Sequence, residues 1–189
     1  MELNKHEFSV LVSCCKGKNV ALNTLADKFD CSAADIENIY QRLTERGLID
    51  NGCITSRGIE ALASYRVENA IIMAAGFSSR FAPLSYETPK GLLNVRGEIL
   101  IERQIRQLQE AGINEIIVVA GYKKELFFYL EEKFGVKVMV NHEYASRNNN
   151  STLMVVRKSL GNSYICSSDN YFTTNPFSPY EWKACYSAE

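Results

Sequence analysis

The stretch Ala70-Ile71-Ile72-Met73-Ala74-Ala75-Gly76-Phe77-Ser78-Ser79-Arg80-Phe81-Ala82-Pro83-Leu84-Ser85-Tyr86-Glu87-Thr88-Pro89-Lys90 decides the fold. It opens on a continuous apolar run, the pattern of a strand buried on both faces. The run gives way at Ala75-Gly76 to a Gly/Ser/Pro loop that carries Arg80 and Lys90. A loop of small residues leaving a strand brings backbone N–H groups close to phosphate oxygens. Arg80 adds a planar guanidinium suited to bidentate phosphate contact. Lys90 adds a compact charge behind the rigid Pro89. The loop matches neither GxxxxGK[ST] nor GxGxxG.

Downstream of this loop, strand and helix signals alternate. Leu93–Val95 and Ile99 flank a turn at Arg96-Gly97. Ile101, Ile105, Leu108 and Ala111 predict a helix that stops at Gly112. Ile116–Ala120 is a strand, and Leu126, Phe127, Leu130 and Phe134 mark a helix before Gly135. Val136–Val140 is a strand, Ser151–Leu160 a helix, and Tyr164–Ser167 a fourth strand. Trp182–Tyr186 reads as the start of another. Such alternation predicts a mainly parallel sheet covered on both faces, with ligands beyond the carboxyl ends of its strands.

Upstream, the chain has a different character. Helical spacing covers Leu3–Cys15, Ala21–Phe29 and a helix from Ser32, its cap, to Arg46 with Gly47 behind it. Asn51-Gly52 turns a short hairpin within Leu48–Ile54, and Thr55-Ser56 opens a further helix. This order resembles a winged helix, so two domains are expected, at 1–66 and 67–189. Ser32–Arg46 would be the DNA-reading helix. It offers Arg42 and Arg46 against Asp35, Glu37 and Glu45, and residues 1–66 carry net charge −1. Phosphate-driven affinity needs a basic face. An interaction or regulatory module is therefore preferred over nucleic-acid binding.

Composition agrees with a globular protein. The 189 residues have formal net charge −1 and 23% charged residues. The longest apolar runs are far too short to span a bilayer, and no signal peptide is visible at the start. The expected compartment is the cytoplasm, with no membrane contact. The six cysteines lack CxxC spacing and are expected to be free.

Together, Gly76, Arg80, Pro83-Leu84 and Thr88-Pro89-Lys90 resemble the G-x-x-x-R-x-x-P-L…P-K signature of sugar-nucleotide pyrophosphorylase-type nucleotidyltransferases. The likeness continues through Leu92–Val95, Leu100–Gln104, Gly112-Ile113, Val119–Tyr122, Asn141–Tyr144, Asn148-Asn149 and Asp169-Asn170-Tyr171. The asparagine pair and the Asp-Asn-Tyr ending are most similar to bacterial phosphocholine cytidylyltransferases. Many relatives carry a second glycine where Ser78 stands.

The resemblance implies a Rossmann-like, GT-A-like α/β domain over residues 67–189. It implies a Mg²⁺-dependent enzyme that transfers a nucleotidyl group from a nucleoside triphosphate, CTP by preference, to a phosphorylated acceptor, phosphocholine by preference. Pyrophosphate would be released. Arg80 and Lys90 would be catalytic. Ala74, Ala75, Gly76, Phe77, Ser78, Ser79, Arg80, Gly121, Asn148, Asn149 and Thr152 would bind nucleotide. Capping by Asn150 or Ser151 is the alternative for the asparagine segment.

Asp169, the only aspartate in residues 67–189, would hold the metal. Tyr171, Phe172 and Trp182 would either box a quaternary ammonium or, more commonly for such residues, pack in a core or lid. Two rivals remain: a sugar-1-phosphate nucleotidyltransferase, and a non-enzymatic regulator that senses a nucleotide or binds DNA. The family fold needs more sheet and a second metal carboxylate after the Asp-Asn-Tyr strand. The chain is therefore expected to be a fragment holding the nucleotide half, with little or no activity by itself.

Overall fold

The computed structural model describes residues 2–15, 32–77, 82–146 and 149–186. The chain divides into two compact units: Met1–Arg66 with Tyr180–Glu189, and Val67–Pro179. The second unit thus ends at Pro179, ten residues before the end expected from the sequence. No helix among the described residues is long and apolar enough to cross a membrane.

In the first unit, α1 is Lys5–Cys15, α2 Ala33–Glu45, β1 Ile49–Asp50, β2 Cys53–Ile54 and α3 Ser56–Leu62. The helix expected at Ala21–Phe29 lies outside the described residues. Ser32 caps α2 in a capping box with Asp35, as its position predicts. At the other end Gly47 takes φ +67, and the Leu48 N–H reaches back to the Leu43 carbonyl at 2.9 Å. Asn51 and Gly52, both with positive φ, turn the β1–β2 hairpin. Val10, Leu11, Ile36, Leu43, Leu48 and Leu62 form the core.

This core also takes in Trp182. Its ring stacks on Tyr65, with centroids 5.1 Å apart and planes 12° from parallel, and lies 5.5 Å from Phe8. The Glu181 N–H donates to the Tyr65 carbonyl at 2.9 Å. The expected strand at Trp182–Tyr186 is absent. Trp182, the largest apolar residue that suggested it, is spent on Tyr65, more than a hundred positions away, while Ala184, Cys185 and Tyr186 stay exposed.

The second unit runs β3 (Asn69–Ala74), β4 (Asn94–Val95), β5 (Glu98–Ile99), α4 (Leu100–Glu110), β6 (Ile116–Ala120), α5 (Tyr129–Phe134), β7 (Lys137–Val140), α6 (Asn149–Val155) and β8 (Ser163–Ser167). Its main sheet has the order β7-β6-β3-β8, all parallel. Ile72 on β3 pairs with Val118 on one side and Cys166 on the other. Alternate residues of β3 feed two cores. Ala70, Ile72 and Ala74 meet Ile101, Ile105, Leu108, Phe127 and Leu130. Ile71 joins Ile117, Val119 and Val156 on the opposite face. Each buried Ile, Leu, Val or Phe side chain among these contributes about 1.5–3 kcal/mol relative to exposure.

The connection after β6 leads outward to β7, whereas β8 returns to the other side of β3. The carboxyl ends of β3 and β8 therefore form a topological switch point, where open α/β sheets bind ligands. Two helices differ from expectation. Of the one marked by Leu126, Phe127, Leu130 and Phe134, Leu126 and Phe127 lie in a separate 3-10 turn, Lys124–Phe127, ahead of α5. Ser151–Leu160 is not continuous: α6 ends at Val155 and a tight turn at Arg157–Ser159 follows. Between them Val156 is buried at 1% exposure in the core with Ile71 and Ile117, and its N–H bonds to the Leu153 carbonyl.

Candidate active site

Four segments converge on the carboxyl edge of the sheet. The loop after β3 begins with Ala74 and Ala75, both buried, and then exposes Gly76 and Phe77. A Cβ built on Gly76 would meet no atom within 4 Å, so the glycine leaves open backbone at the surface. Ser78, Ser79, Arg80 and Asn148 lie outside the described residues, as does the side chain of Asn149. The loop resumes in a helical turn at Leu84–Tyr86. Lys123, which follows β6 with φ +50, donates its ammonium to the carbonyls of Tyr86 and Glu87. That contact pins the loop just before Thr88-Pro89-Lys90.

The loop then delivers Lys90 to Asp169. Lys90 Nζ stands 3.4 Å from Asp169 Oδ2. Ser167 Oγ, at the end of β8, donates to Asp169 Oδ1 at 2.6 Å. Burial alone would raise the Asp169 carboxyl, but the Ser167 hydroxyl and the Lys90 ammonium outweigh it and hold the group below the usual aspartate range. Asp169 is therefore a carboxylate at neutral pH. Gly91 permits this approach, because a Cβ there would lie 2.9 Å from Ser168 Cβ and 3.2 Å from its carbonyl oxygen. Ser168 itself is buried, and its N–H donates to the Met73 carbonyl of β3.

At β6 the strand ends in Gly121, which is buried. A Cβ there would meet the Ala75 carbonyl oxygen at 2.6 Å and Tyr144 Cβ at 2.8 Å. Gly121 thus serves close packing of the loops around the site. Next to it Phe77, expected to bind nucleotide, joins two rings that the sequence left unassigned, Tyr122 and Tyr144. Phe77 lies 5.6 Å from Tyr122 and 5.1 Å from Tyr144, centroid to centroid, and is 45% exposed. The three rings leave from the ends of β3, β6 and β7, too far apart in sequence for any local pattern to unite them.

Asn141, just after β7, is the other unassigned residue. Its buried amide donates to Ser151 Oγ at 3.0 Å and Thr152 Oγ1 at 3.1 Å, and accepts from the Glu143 N–H at 2.9 Å. Thr152 is itself buried and turned towards Asn141. Its hydroxyl thereby fixes the start of α6 to the end of β7.

The aromatic residues after Asp169 have packing partners within their own units. Arg103 lies 4.8 Å and Arg96 5.7 Å from the Tyr171 ring centroid. Phe172 packs edge-on against Phe177, and Trp182 belongs to the first unit. Of the two readings of these residues, packing is the one the structure supports.

The described part of the site thus gathers one carboxylate, the ammonium groups of Lys90 and Lys123, exposed loop backbone and three rings along the carboxyl edge of the sheet. A family model described as the MobA-like NTP transferase domain matches residues 70–177. The choline-phosphate cytidylyltransferase of Streptococcus pneumoniae is 48% identical over 108 residues, which is 57% of this chain and 47% of that protein. The 2-aminoethylphosphonate cytidylyltransferase of Lancefieldella rimae is 43% identical over 122 residues, 62% of this chain and 50% of that protein. A solved structure of CTP:phosphocholine cytidylyltransferase from Streptococcus pneumoniae superimposes with a TM-score of 0.58 at 48% identity, covering 60% of this chain and 50% of that one. The chain spans about half the length of these relatives. The match covers the sheet, the loop after β3 and Asp169 together, and by it this chain belongs to the MobA-like NTP transferase domain family.

Proposed function

We propose that the second unit binds CTP at the carboxyl ends of β3 and β8 and serves cytidylyl transfer to a small phosphorylated amine. The observation that carries this reading is the Lys90–Asp169 pair at 3.4 Å, set at the switch point of a sheet whose β3 leads into the open backbone of Gly76. The relatives' names extend it. One acts on choline phosphate and another on 2-aminoethylphosphonate, so both acceptors join a cationic amine to a phosphoryl or phosphonyl group. Phosphocholine is the preferred acceptor for this chain.

In the reaction, an acceptor oxygen attacks the α-phosphorus, a new P–O bond forms, and the bond to the β-phosphate oxygen breaks. Pyrophosphate carries the released electron pair. The acceptor is already an anion, so no protein nucleophile is needed. The protein's work is positioning and charge neutralisation. Lys90 offsets phosphate charge, and Arg80 would do so from the same loop. Exposed N–H groups after Ala75 orient the phosphates. Phe77, Tyr122 and Tyr144 offer ring faces for the base.

Asp169 would hold a magnesium ion. Among the described residues no group of three or more His, Cys, Asp or Glu side chains could hold a metal. A single carboxylate nonetheless suits Mg²⁺, which takes one or two carboxylates and completes its shell with phosphate oxygens and water. When bound, the ion would neutralise charge on the triphosphate. The pairing with Lys90 keeps Asp169 ionised and oriented in readiness.

For residues 1–66 we infer a winged-helix-like interaction module. Arg46, one of two cations on its candidate reading helix, is already engaged with Glu7 at 3.0 Å. Gel shifts at two salt concentrations test the DNA alternative. For the second unit, the test is calorimetric titration with CTP, UTP, GTP and dTTP, with and without Mg²⁺, followed by pyrophosphate release with phosphocholine. Mg²⁺-dependent preference for CTP is expected. Preference for another triphosphate would favour a sugar-1-phosphate enzyme.

A further inference from the structure

Asp169 sits on a turn, and neither helix nor strand follows it in the second unit. Its placement therefore depends on what holds the residues just behind it. Arg103, on α4, does so with nearly all its donors. Its Nε and Nη2 donate to the Phe172 carbonyl at 3.0 and 2.8 Å, and Nη2 also reaches the Thr173 carbonyl at 3.2 Å. Nη1 is held by the Glu98 carboxylate. The guanidinium lies over the Tyr171 ring, 4.8 Å from its centroid. Gln107, one turn on, adds a second donor to the Phe172 carbonyl at 3.2 Å. Neighbouring Asn175 returns a bond to the Gln107 carbonyl at 2.7 Å.

The same helix is fastened to the segment of Lys90. The Leu100 N–H donates to the Leu93 carbonyl, and the Leu93 N–H donates to that of Lys90. One rigid element therefore holds the chain on both sides of the Lys90–Asp169 pair. Only a planar fork with several N–H groups can bond two carbonyls, pair with a carboxylate and cover a ring at once.

We propose that Arg103 is a positioning residue of the nucleotide site: by clamping Phe172 and Thr173 and stacking on Tyr171, it sets Asp169 against Lys90. The inference rests on the reading that Asp169 serves a metal-bound triphosphate. Misplacement of a group by about 1 Å can cost on the order of a hundredfold.

The test uses the full 189-residue chain and its Arg103→Ala and Arg103→Lys variants. The first measurement needs no ligand: the rate of native-state chymotrypsin cleavage at Tyr171 and Phe172. The second is CTP affinity by calorimetry with and without Mg²⁺. Arg103→Ala is expected to raise cleavage at least about fivefold as local opening becomes easier. It should weaken Mg²⁺-dependent CTP binding about tenfold while Mg²⁺-free binding stays within about twofold. Arg103→Lys keeps the charge without the fork and should resemble Arg103→Ala. It also carries the test if the alanine variant fails to fold. Unchanged cleavage, equal losses with and without Mg²⁺, or full function in Arg103→Lys would each overturn the proposal. If the unaltered chain shows no Mg²⁺-dependent CTP binding, the metal reading of Asp169 falls, and the cleavage rates alone decide whether Arg103 is the clamp.

Discussion

Lys90 and Asp169 lie 79 positions apart in sequence and meet at 3.4 Å, one arriving from the loop after β3 and the other from the end of β8. Their side chains remain 17% and 37% exposed. An ion pair open to water to this degree adds at most about 1 kcal/mol of stability. Its worth is in placing opposite charges where phosphate and metal would arrive.

Lys90→Ala should therefore leave the fold almost untouched. The expected change in melting temperature is small, because little stability resides in the pair. CTP affinity should fall about ten- to a hundredfold, the loss of one charge-assisted contact of roughly 1.5–3 kcal/mol. Thermal unfolding and calorimetric titration on the same preparation check both halves.

Asp169→Asn keeps the shape and removes the charge. Mg²⁺ should no longer improve CTP binding, while Mg²⁺-free affinity holds or rises slightly because a negative charge beside the phosphates is gone. A variant whose magnesium response matches that of the unaltered chain would make Asp169 a turn residue only.

These two residues were legible in sequence for different reasons. Lys90 belongs to a recurring loop pattern, and Asp169 is the sole aspartate of its half of the chain, just past an apolar strand. Their pairing was not legible, since it follows from β8 lying beside β3 in the sheet. The apolar strands and the α4 stripe were read correctly because burial on a sheet or helix imposes a local period. Arg103, Asn141 and the joining of Phe77 to Tyr122 and Tyr144 escaped because each acts across strands, through carbonyls or rings that carry no sequence signal. Val156 likewise broke an expected helix to fill a core built by β3 and β6.

Gly121→Ala tests the packing that frames the loop. The new Cβ would stand 2.6 Å from the Ala75 carbonyl oxygen, a backbone atom that cannot swing aside. Overpacking of this kind costs about 1–3 kcal/mol. A lowered urea midpoint is expected, together with weaker CTP binding, since displaced Ala75 takes Gly76 and Phe77 with it.

Glu102 gives a pH-dependent prediction. Its buried carboxylate accepts from Lys133 Nζ at 2.8 and 2.9 Å and from Tyr129 OH at 2.9 Å, with Arg106 at 3.4 Å. Burial raises the carboxyl, but these partners outweigh it and the native value is lowered. A lowered native value means the contribution is fully present above the ordinary glutamate value of about 4.3 and is lost as pH falls through the native one. Glu102→Gln should cost about 1–3 kcal/mol at neutral pH and progressively less in acid. Urea unfolding at pH 7 and pH 3 checks the difference.

Trp182 is the one tryptophan of the chain, so its emission reports on its own surroundings alone. Its ring lies parallel to Tyr65 at 5.1 Å and beside Phe8 at 5.5 Å. Stacked pairs contribute about 0.5–1.5 kcal/mol beyond the area they bury. Tyr65→Ala removes the stacking face yet leaves the Tyr65 carbonyl that accepts from the Glu181 N–H. The variant should shift Trp182 emission to longer wavelength and lower the urea midpoint seen by that emission, at a cost of about 2–3 kcal/mol. The strand that local periodicity places at Trp182–Tyr186 makes the opposite prediction. As a member of the second unit's sheet, Trp182 would be indifferent to Tyr65, and its emission would not move. Fluorescence spectra of the two proteins at equal concentration, in buffer and across a urea series, separate these outcomes.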